Sequence, residues 1–306
     1  MSAILRAEGL CKRFGRTDVL RDLALSVDEG SVYGLVGPNG AGKTTTIKIL
    51  MNIIEASSGR AMVLDEDSRR LGPRHFQQIG YVSENQEMPD WMTVEYLMAY
   101  LKPFYPTWDD GRARELLKQF ELPTHRKLKH LSHGMRMKAA LASSLAYHPQ
   151  LLVLDEPFTG LDPLVRDEFI EGLIESAQET TMLISSHDLA EIEHFATHIG
   201  FLDHARLHFS ESLSVLSDRF REIEVTRDAP APLPVDWPRQ WLQPESSGTL
   251  VRFVDSQFDR DRTAAEVRRL FGDASRVAAT PMSLRAIFVT LARDSRKAAT
   301  DVHVRA

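Results

Sequence analysis

The sequence predicts an α/β fold, and three stretches carry that prediction. SVYGLVG (31–37) is a short apolar run that ends in glycine, and PNGAGK leads from it into TTTIKILMNII, which reads as a helix. LLVLDEP (151–157) and TMLISSH (181–187) are two more compact apolar runs ending in polar residues, with the amphipathic LVRDEFIEGLIESAQE between them. Apolar runs of strand length that alternate with helices belong to a sheet covered on both faces.

The other elements follow in chain order. Residues 1–30 hold short apolar runs broken by turn residues at Phe14-Gly15-Arg16, a pattern of strands and hairpins. IGYVS (79–83) reads as a further strand. From about 84 to 147 the pattern is helical, with VEYLMAYLKPFY and GRARELLKQFEL spacing their apolar residues by three and four. DLAEIEHFA (188–196) reads as a helix, and IGFLDHARLHF closes the unit with short strands. The composition shifts near residue 215, which sets the expected domains at 1–215 and 216–306. Prolines crowd residues 228–244 and exclude a long regular element there. EIEVT and LVRFVD alternate as half-exposed strands, and AAEVRRLFG and SLRAIFVTLAR read as short helices, so a small α+β extension is expected. The polar last dozen residues are expected to fray.

Composition narrows the function classes. The chain has 306 residues, of which 43% are hydrophobic and 26% charged, as in an ordinary globular protein with a buried core. A net charge of −6 without a long basic run gives no support to nonspecific nucleic-acid binding. Cys11 is the one cysteine, so no disulfide can form within the chain, which fits a reducing compartment. The N-terminal MSAILRAEGLCKRFG lacks the apolar stretch of a signal peptide, and no window is long and apolar enough to span a bilayer.

Motif spacing then points to chemistry. Gly37 to Thr44, GPNGAGKT, fits G-x-x-x-x-G-K-[ST] between a strand and a helix. Glycines let backbone N–H groups turn around phosphate oxygens without a Cβ clash, and the following helix adds its free N–H groups. Gly37, Pro38, Asn39, Gly40, Ala41, Gly42, Lys43, Thr44 and Thr45 are therefore candidate nucleotide-binding residues. Lys43 suits the β- and γ-phosphates, and the Thr44 hydroxyl suits Mg²⁺. Asp155 and Glu156 end an apolar strand, where open α/β sheets face their ligand crevice. An Asp there can hold a metal, and a Glu can orient or deprotonate water. His187 ends the next strand and is placed to contact a γ-phosphate or to hold an attacking water.

Taken in order, these residues resemble the nucleotide-binding subunit of an ATP-binding cassette (ABC) transporter. GPNGAGKT resembles the Walker A loop, and LLVLDEP resembles Walker B followed by the catalytic glutamate, Glu156. GLDP (160–163) resembles the D-loop with Asp162, SSHDLAEIE resembles the switch-histidine segment with His187, and Phe14 resembles the aromatic that stacks on adenine. LSHGM (131–135) sits where the family has LSGGQ, with Ser132 and Gly134 in place. The resemblance spans about residues 3–210 and implies a P-loop ABC-type cassette: a mixed sheet, an antiparallel β part and a helical subdomain at about 84–147. It further implies ATP and Mg²⁺ as ligands, with Thr44, Asp155 and Glu84 towards the metal and Glu156, His187 and Lys43 in catalysis. The implied assembly is a head-to-tail dimer, as a homodimer or with a second cassette. A separate integral-membrane permease would hold it at the cytoplasmic face of the membrane, and no nucleic-acid partner is expected. The C-terminal extension resembles the accessory domain of some drug and antibiotic exporters, which leans the expectation towards export.

Two positions depart from the family pattern. Where the family carries the Gln of its Q-loop, this chain has Glu84, an acceptor that cannot donate as an amide does; Gln86 lies two residues on. In the signature, His133 replaces the first glycine and Met135 the glutamine. Ser132 also suits the N-cap of the helix that follows, and the His133 imidazole is expected to point outward without a role. Two competing readings are a non-transport ABC ATPase acting on DNA or ribosomes and a nucleotide-binding module without turnover. The first lacks the coiled-coil insertion or the second cassette usual in those proteins. The second sits poorly with the presence of Lys43, Asp155, Glu156 and His187 together.

Overall fold

A computed structural model describes residues 2–177, 180–230, 232–234, 236–272 and 276–304, with side chains up to 294. The chain divides into two compact units, Met1–Ser210 and Glu211–Ala306.

The first unit opens with a long antiparallel hairpin, β1 (Ala3–Phe14) and β2 (Thr17–Asp28), followed by β3 (Val32–Val36) and α1 (Lys43–Leu50). Then come β4 (Ser58–Val63), β5 (Glu66–Asp67), α2 (Pro73–Phe76) and β6 (Ile79–Ser83). The helical stretch holds α3 (Val94–Leu101), α4 (Asp110–Gln119) and α5 (His133–Leu145). The sheet resumes with β7 (Leu151–Asp155), α6 (Pro163–Ser176), β8 (Thr181–Ser186), β9 (His198–Asp203) and β10 (Arg206–Ser212).

These strands form two sheets. One is antiparallel in the order β2-β1-β4-β5, and the other is six-stranded in the order β10-β9-β3-β8-β7-β6, with β9, β3, β8, β7 and β6 mutually parallel. Every residue of β3, β7 and β8 is buried, which explains why they read as unbroken apolar runs. The two sheets share a core in which Leu5, Leu23 and Val63 meet Leu35, Leu151, Val153 and Leu183, with Ile47 and Leu50 of α1. The carboxyl ends of β3, β7 and β8 lie side by side, since Val36 pairs with Ser186 and Asp155 with Ser185.

Local chemistry sets the helix boundaries. Thr93, Asp109, Ser132 and Asp162 each cap a helix by accepting a first-turn N–H, and Pro163 occupies the position where a missing N–H costs nothing. α1 is shorter than TTTIKILMNII suggests. Asn52 takes φ +54, and the N–H groups of Ile53 and Ile54 both return to the Lys48 carbonyl. The helix predicted at 188–196 is a larger departure, for only a 3₁₀ turn forms there, at Leu189–Glu191. β9 must start beside β3, and Thr197 anchors it by donating its N–H to Val32 O at 2.8 Å and accepting from Val32 N at 3.0 Å. Before that anchor the N–H groups of Ile192 and Glu193 both return to Leu189 O, and those of Phe195 and Ala196 to Ile192 O, so the chain makes separate turns instead of one helix.

In the second unit lie α7 (Leu213–Arg219), β11 (Arg221–Thr226), β12 (Trp241–Ser247), β13 (Leu250–Asp255), α8 (Arg260–Phe271), β14 (Arg276–Pro281) and α9 (Leu284–Val304). The sheet is antiparallel in the order β12-β13-β11-β14. Its core gathers Ile223, Val225, Val251, Val267, Trp241 and Phe253, with Trp237 packed against it. Trp241 stacks on Phe253 at 4.2 Å between ring centroids, and Trp237 meets both rings edge-on. Asp255 is fully buried and satisfied, because its carboxylate accepts from Trp241 Nε1, Thr263 Oγ1 and the Gln257 N–H. α9 runs to Val304 where the sequence suggests fraying.

Candidate functional site

The loop between β3 and α1 is shaped by three glycines with different constraints. A Cβ on Gly37 would stand 2.0 Å from the Leu202 carbonyl of β9, so close approach by neighbouring backbone requires glycine there. Gly40 (φ +82) and Gly42 (φ +112) hold conformations that other residues rarely adopt. Gly42 is the N-cap of α1 and supplies no capping side chain, so the first N–H groups of the helix face the loop's concavity. Lys43 lies beneath, 4% exposed, with Nζ donating to the Gly37 carbonyl at 2.6 Å and the Pro38 carbonyl at 3.2 Å.

Asp155 and Glu156 leave β7 in opposite directions. The Asp155 carboxylate stays in the core, where one oxygen accepts from Ser185 Oγ at 2.7 Å and from Thr44 Oγ1 at 3.0 Å. Burial pushes Asp155 above the ordinary carboxylate range, against these two hydrogen bonds. Glu156 has φ +52, a left-handed conformation that costs a non-glycine residue about 1–3 kcal/mol. The turn is held by Glu156 N donating to Ser185 Oγ at 2.9 Å and Thr159 N donating to Glu156 O at 3.3 Å. It aims the carboxylate back over the loop. There Oε1 meets Lys43 Nζ at 2.9 Å, and Oε2 meets His187 Nδ1 at 2.8 Å and Thr159 Oγ1 at 3.4 Å.

Burial alone would raise Glu156, but the bonds from His187 and Lys43 outweigh it and the net shift is downward. His187 shifts upward, chiefly through its hydrogen bond to Glu156 against partial burial, with Glu191 adding attraction and Lys43 opposing it. The signs follow by linkage. The His187 contribution to stability is complete below the ordinary imidazole value and is lost as pH rises through the raised one. The Glu156 contribution is present above the ordinary carboxylate value and is lost as pH falls through the lowered one. NMR titration of the His187 ring should therefore give a midpoint above the ordinary imidazole value, falling back towards it in Glu156→Gln. A midpoint unmoved by that substitution would remove Glu156 as its cause.

Lys43, Thr44, Glu156 and His187 line a cavity of about 540 Å³ with Asn39, Gly40, Gly42, Thr45, Glu84, Thr159 and Val19, while the buried Asp155 is not part of the lining and touches it through Thr44. Glu84 is drawn in by its N–H, which donates to the Asp155 carbonyl at 3.1 Å. Gln86 turns away from the cavity, and its side-chain oxygen accepts from Ser83 N at 3.4 Å. Phe14 is absent from this lining. It stands half exposed at the hairpin tip with Lys12 Nζ 4.8 Å over its ring, while Val19 of β2 takes the place beside the loop. Val19, Thr159 and Ser185 escaped the sequence reading; sheet topology brings in Val19 and Ser185, and the turn after Glu156 brings in Thr159.

The remaining candidates gather elsewhere in the first unit. Ser132 Oγ accepts from Met135 N at 3.2 Å as the cap of α5, and Asp162 Oδ1 accepts from Val165 N at 3.1 Å as the cap of α6. Gly134 is buried where a Cβ would lie 2.6 Å from Val165 Cγ1, so the two helices touch at this glycine. An ion pair between buried Lys138 and half-exposed Glu168 joins them further along. The expectation for His133 requires correction. Its backbone fits the first turn of α5 without strain, yet the ring has a partner: Nε2 lies 3.1 Å from the Thr159 carbonyl.

With this geometry in view, the comparisons with known proteins are direct. The sequence model of a family described as ABC transporter matches residues 20–159. The ABC transporter ATP-binding protein YtrB of Bacillus subtilis is 33% identical over 221 residues, covering 72% of this chain and 75% of that protein. The chain belongs to the ABC transporter family. A second relative, the Nod factor export ATP-binding protein I of Cupriavidus metallidurans, is 32% identical over 214 residues, covering 67% of this chain and 70% of the relative. A solved ATP-binding subunit of an ABC transporter superposes with a TM-score of 0.65 at 27% identity, over 70% of this chain and 92% of that one. The cassette fold of the family therefore accounts for the first unit. Among the described residues, no helix is long and apolar enough to cross a membrane.

Proposed function

We propose that this chain binds and hydrolyses ATP to drive transport through a separate integral-membrane permease. The observation that carries the reading is the convergence of Lys43, Glu156 and His187 on one cavity at the carboxyl ends of β3, β7 and β8. Loop N–H groups and Lys43 would bind the phosphates, and His187 would orient a water for Glu156 to deprotonate. The buried carboxylate of Asp155 beside the Thr44 hydroxyl suits a hard cation that takes few protein ligands and shares substrate phosphates, and Glu84 adds a third oxygen donor. Mg²⁺ held there would neutralise charge on the transferring phosphoryl group.

Ser132 and Gly134 lie outside this cavity, so a head-to-tail dimer, with the α5 end of one subunit over the nucleotide of the other, gives them a ligand. Nucleotide would close that dimer because the closed state alone offers both sets of contacts. The units Met1–Ser210 and Glu211–Ala306 would then act as cassette and accessory domain at the cytoplasmic membrane surface. Export is favoured over import by the relative named for Nod factor export. The tagged chain, captured from a detergent extract, should bring down a protein with about six apolar spans. Recovery of soluble partners alone, ribosomes among them, would overturn the transporter reading.

A further inference from the structure

His133 stands at the first position of α5, in the segment assigned above to the partner's nucleotide, yet its ring reaches the chain's own catalytic loop. The Thr159 carbonyl can only accept, so the bond at 3.1 Å requires a proton on Nε2. The ring also lies against Gly160, where a Cβ would fall 3.6 Å from His133 Cδ2. Gly160 is the residue after Thr159 and has φ +72. Thr159 in turn lines the cavity, and its hydroxyl lies 3.4 Å from Glu156 Oε2. Two hydrogen bonds thus connect the start of α5 to the carboxylate over the phosphate loop, with the backbone and side chain of Thr159 as the intermediary.

We propose that His133 is a positioning residue that couples the two half-sites borne by one chain. The claim rests on the dimeric ATPase reading above. When α5 moves to meet or leave the partner's nucleotide, the His133 bond shifts the Thr159 carbonyl, and the Thr159 hydroxyl changes the setting of Glu156. A glycine at this position has no side chain with which to form the link. An intramolecular bond of this kind makes each site sense whether its neighbour is filled, because both bias one two-state element.

Three variants of the full chain separate this role from mere packing. His133→Gly removes ring and donor, His133→Phe keeps bulk without a donor, and His133→Gln restores an N–H near the same reach. Steady-state hydrolysis of MgATP should fall in kcat by roughly tenfold in His133→Gly and His133→Phe, as expected when a base loses its alignment. The Hill coefficient should drop towards one in both, KM should change little, and His133→Gln should recover a substantial part of each loss. Amide hydrogen exchange across 157–162, measured without nucleotide, reads the tether independently of turnover. It should quicken in the Gly and Phe variants and return towards wild type in Gln. Unchanged exchange in His133→Gly, or equal rescue by Phe and Gln, would overturn the proposal, as would faster exchange with an unchanged Hill coefficient. A wild-type chain without Lys43-dependent hydrolysis would instead defeat the ATPase reading and the coupling claim together, and exchange would then test only the tether.

Discussion

Glu156→Gln should bind ATP and hydrolyse it about 10²–10⁴-fold more slowly than wild type, the usual worth of a positioned general base. The substitution keeps the shape of the side chain, and its amide can still accept from Lys43 or His187, which meet the native carboxylate at 2.9 and 2.8 Å. The left-handed backbone at this residue is set by Ser185 and the Thr159 turn, so the loop should keep its course. What disappears is the charge proposed to take the proton. Phosphate release at saturating ATP should fall while nucleotide affinity holds, and a long-lived ATP-bound dimer should appear on size exclusion. Steady-state hydrolysis close to wild type would take Glu156 out of the catalytic role.

Lys43→Ala should fail earlier, at binding. Lys43 is nearly inaccessible and its ammonium is held by two loop carbonyls as well as Glu156, so it is already aimed into the concavity. A charge-assisted hydrogen bond contributes about 1.5–3 kcal/mol, so Kd for ATP should rise by about ten- to hundredfold and turnover should be lost. Removal also leaves Glu156, whose side chain is 14% exposed, with His187 as its sole charged partner among the described contacts. The variant should therefore unfold at lower urea. Measuring affinity well below that transition separates lost binding from lost fold, and an unchanged affinity and rate would defeat the phosphate-loop reading.

Much of this fold and site is legible in the sequence. β3, β7 and β8 are buried on both faces, so their apolar runs leave little room for another reading. The family could be named because its motifs occur in order along one chain, a far rarer event than any one of them alone. Weak patterns hid other elements. β14 is exposed at every residue and β12 at four of its seven, so neither carries the alternation that marks a half-buried strand. The stretch 188–196 has helical periodicity, but its backbone breaks into separate turns before Thr197 joins β3. At the site, residue types identified candidates without their directions. The turn at Glu156, the Ser185 contact behind Asp155 and the reach of His133 to Thr159 arise from neighbouring backbone, which no spacing along the chain encodes.

The ring stack of Trp237, Trp241 and Phe253 has a spectroscopic consequence. The other two tryptophans, Trp91 and Trp108, belong to the first unit, and Trp91 is largely exposed. Trp241 is almost wholly enclosed and locked by a hydrogen bond to Asp255, an asymmetric setting that gives near-ultraviolet circular dichroism and blue-shifted emission. The C-terminal unit thus carries its own optical signature, against which loss of its ring stack can be followed on heating.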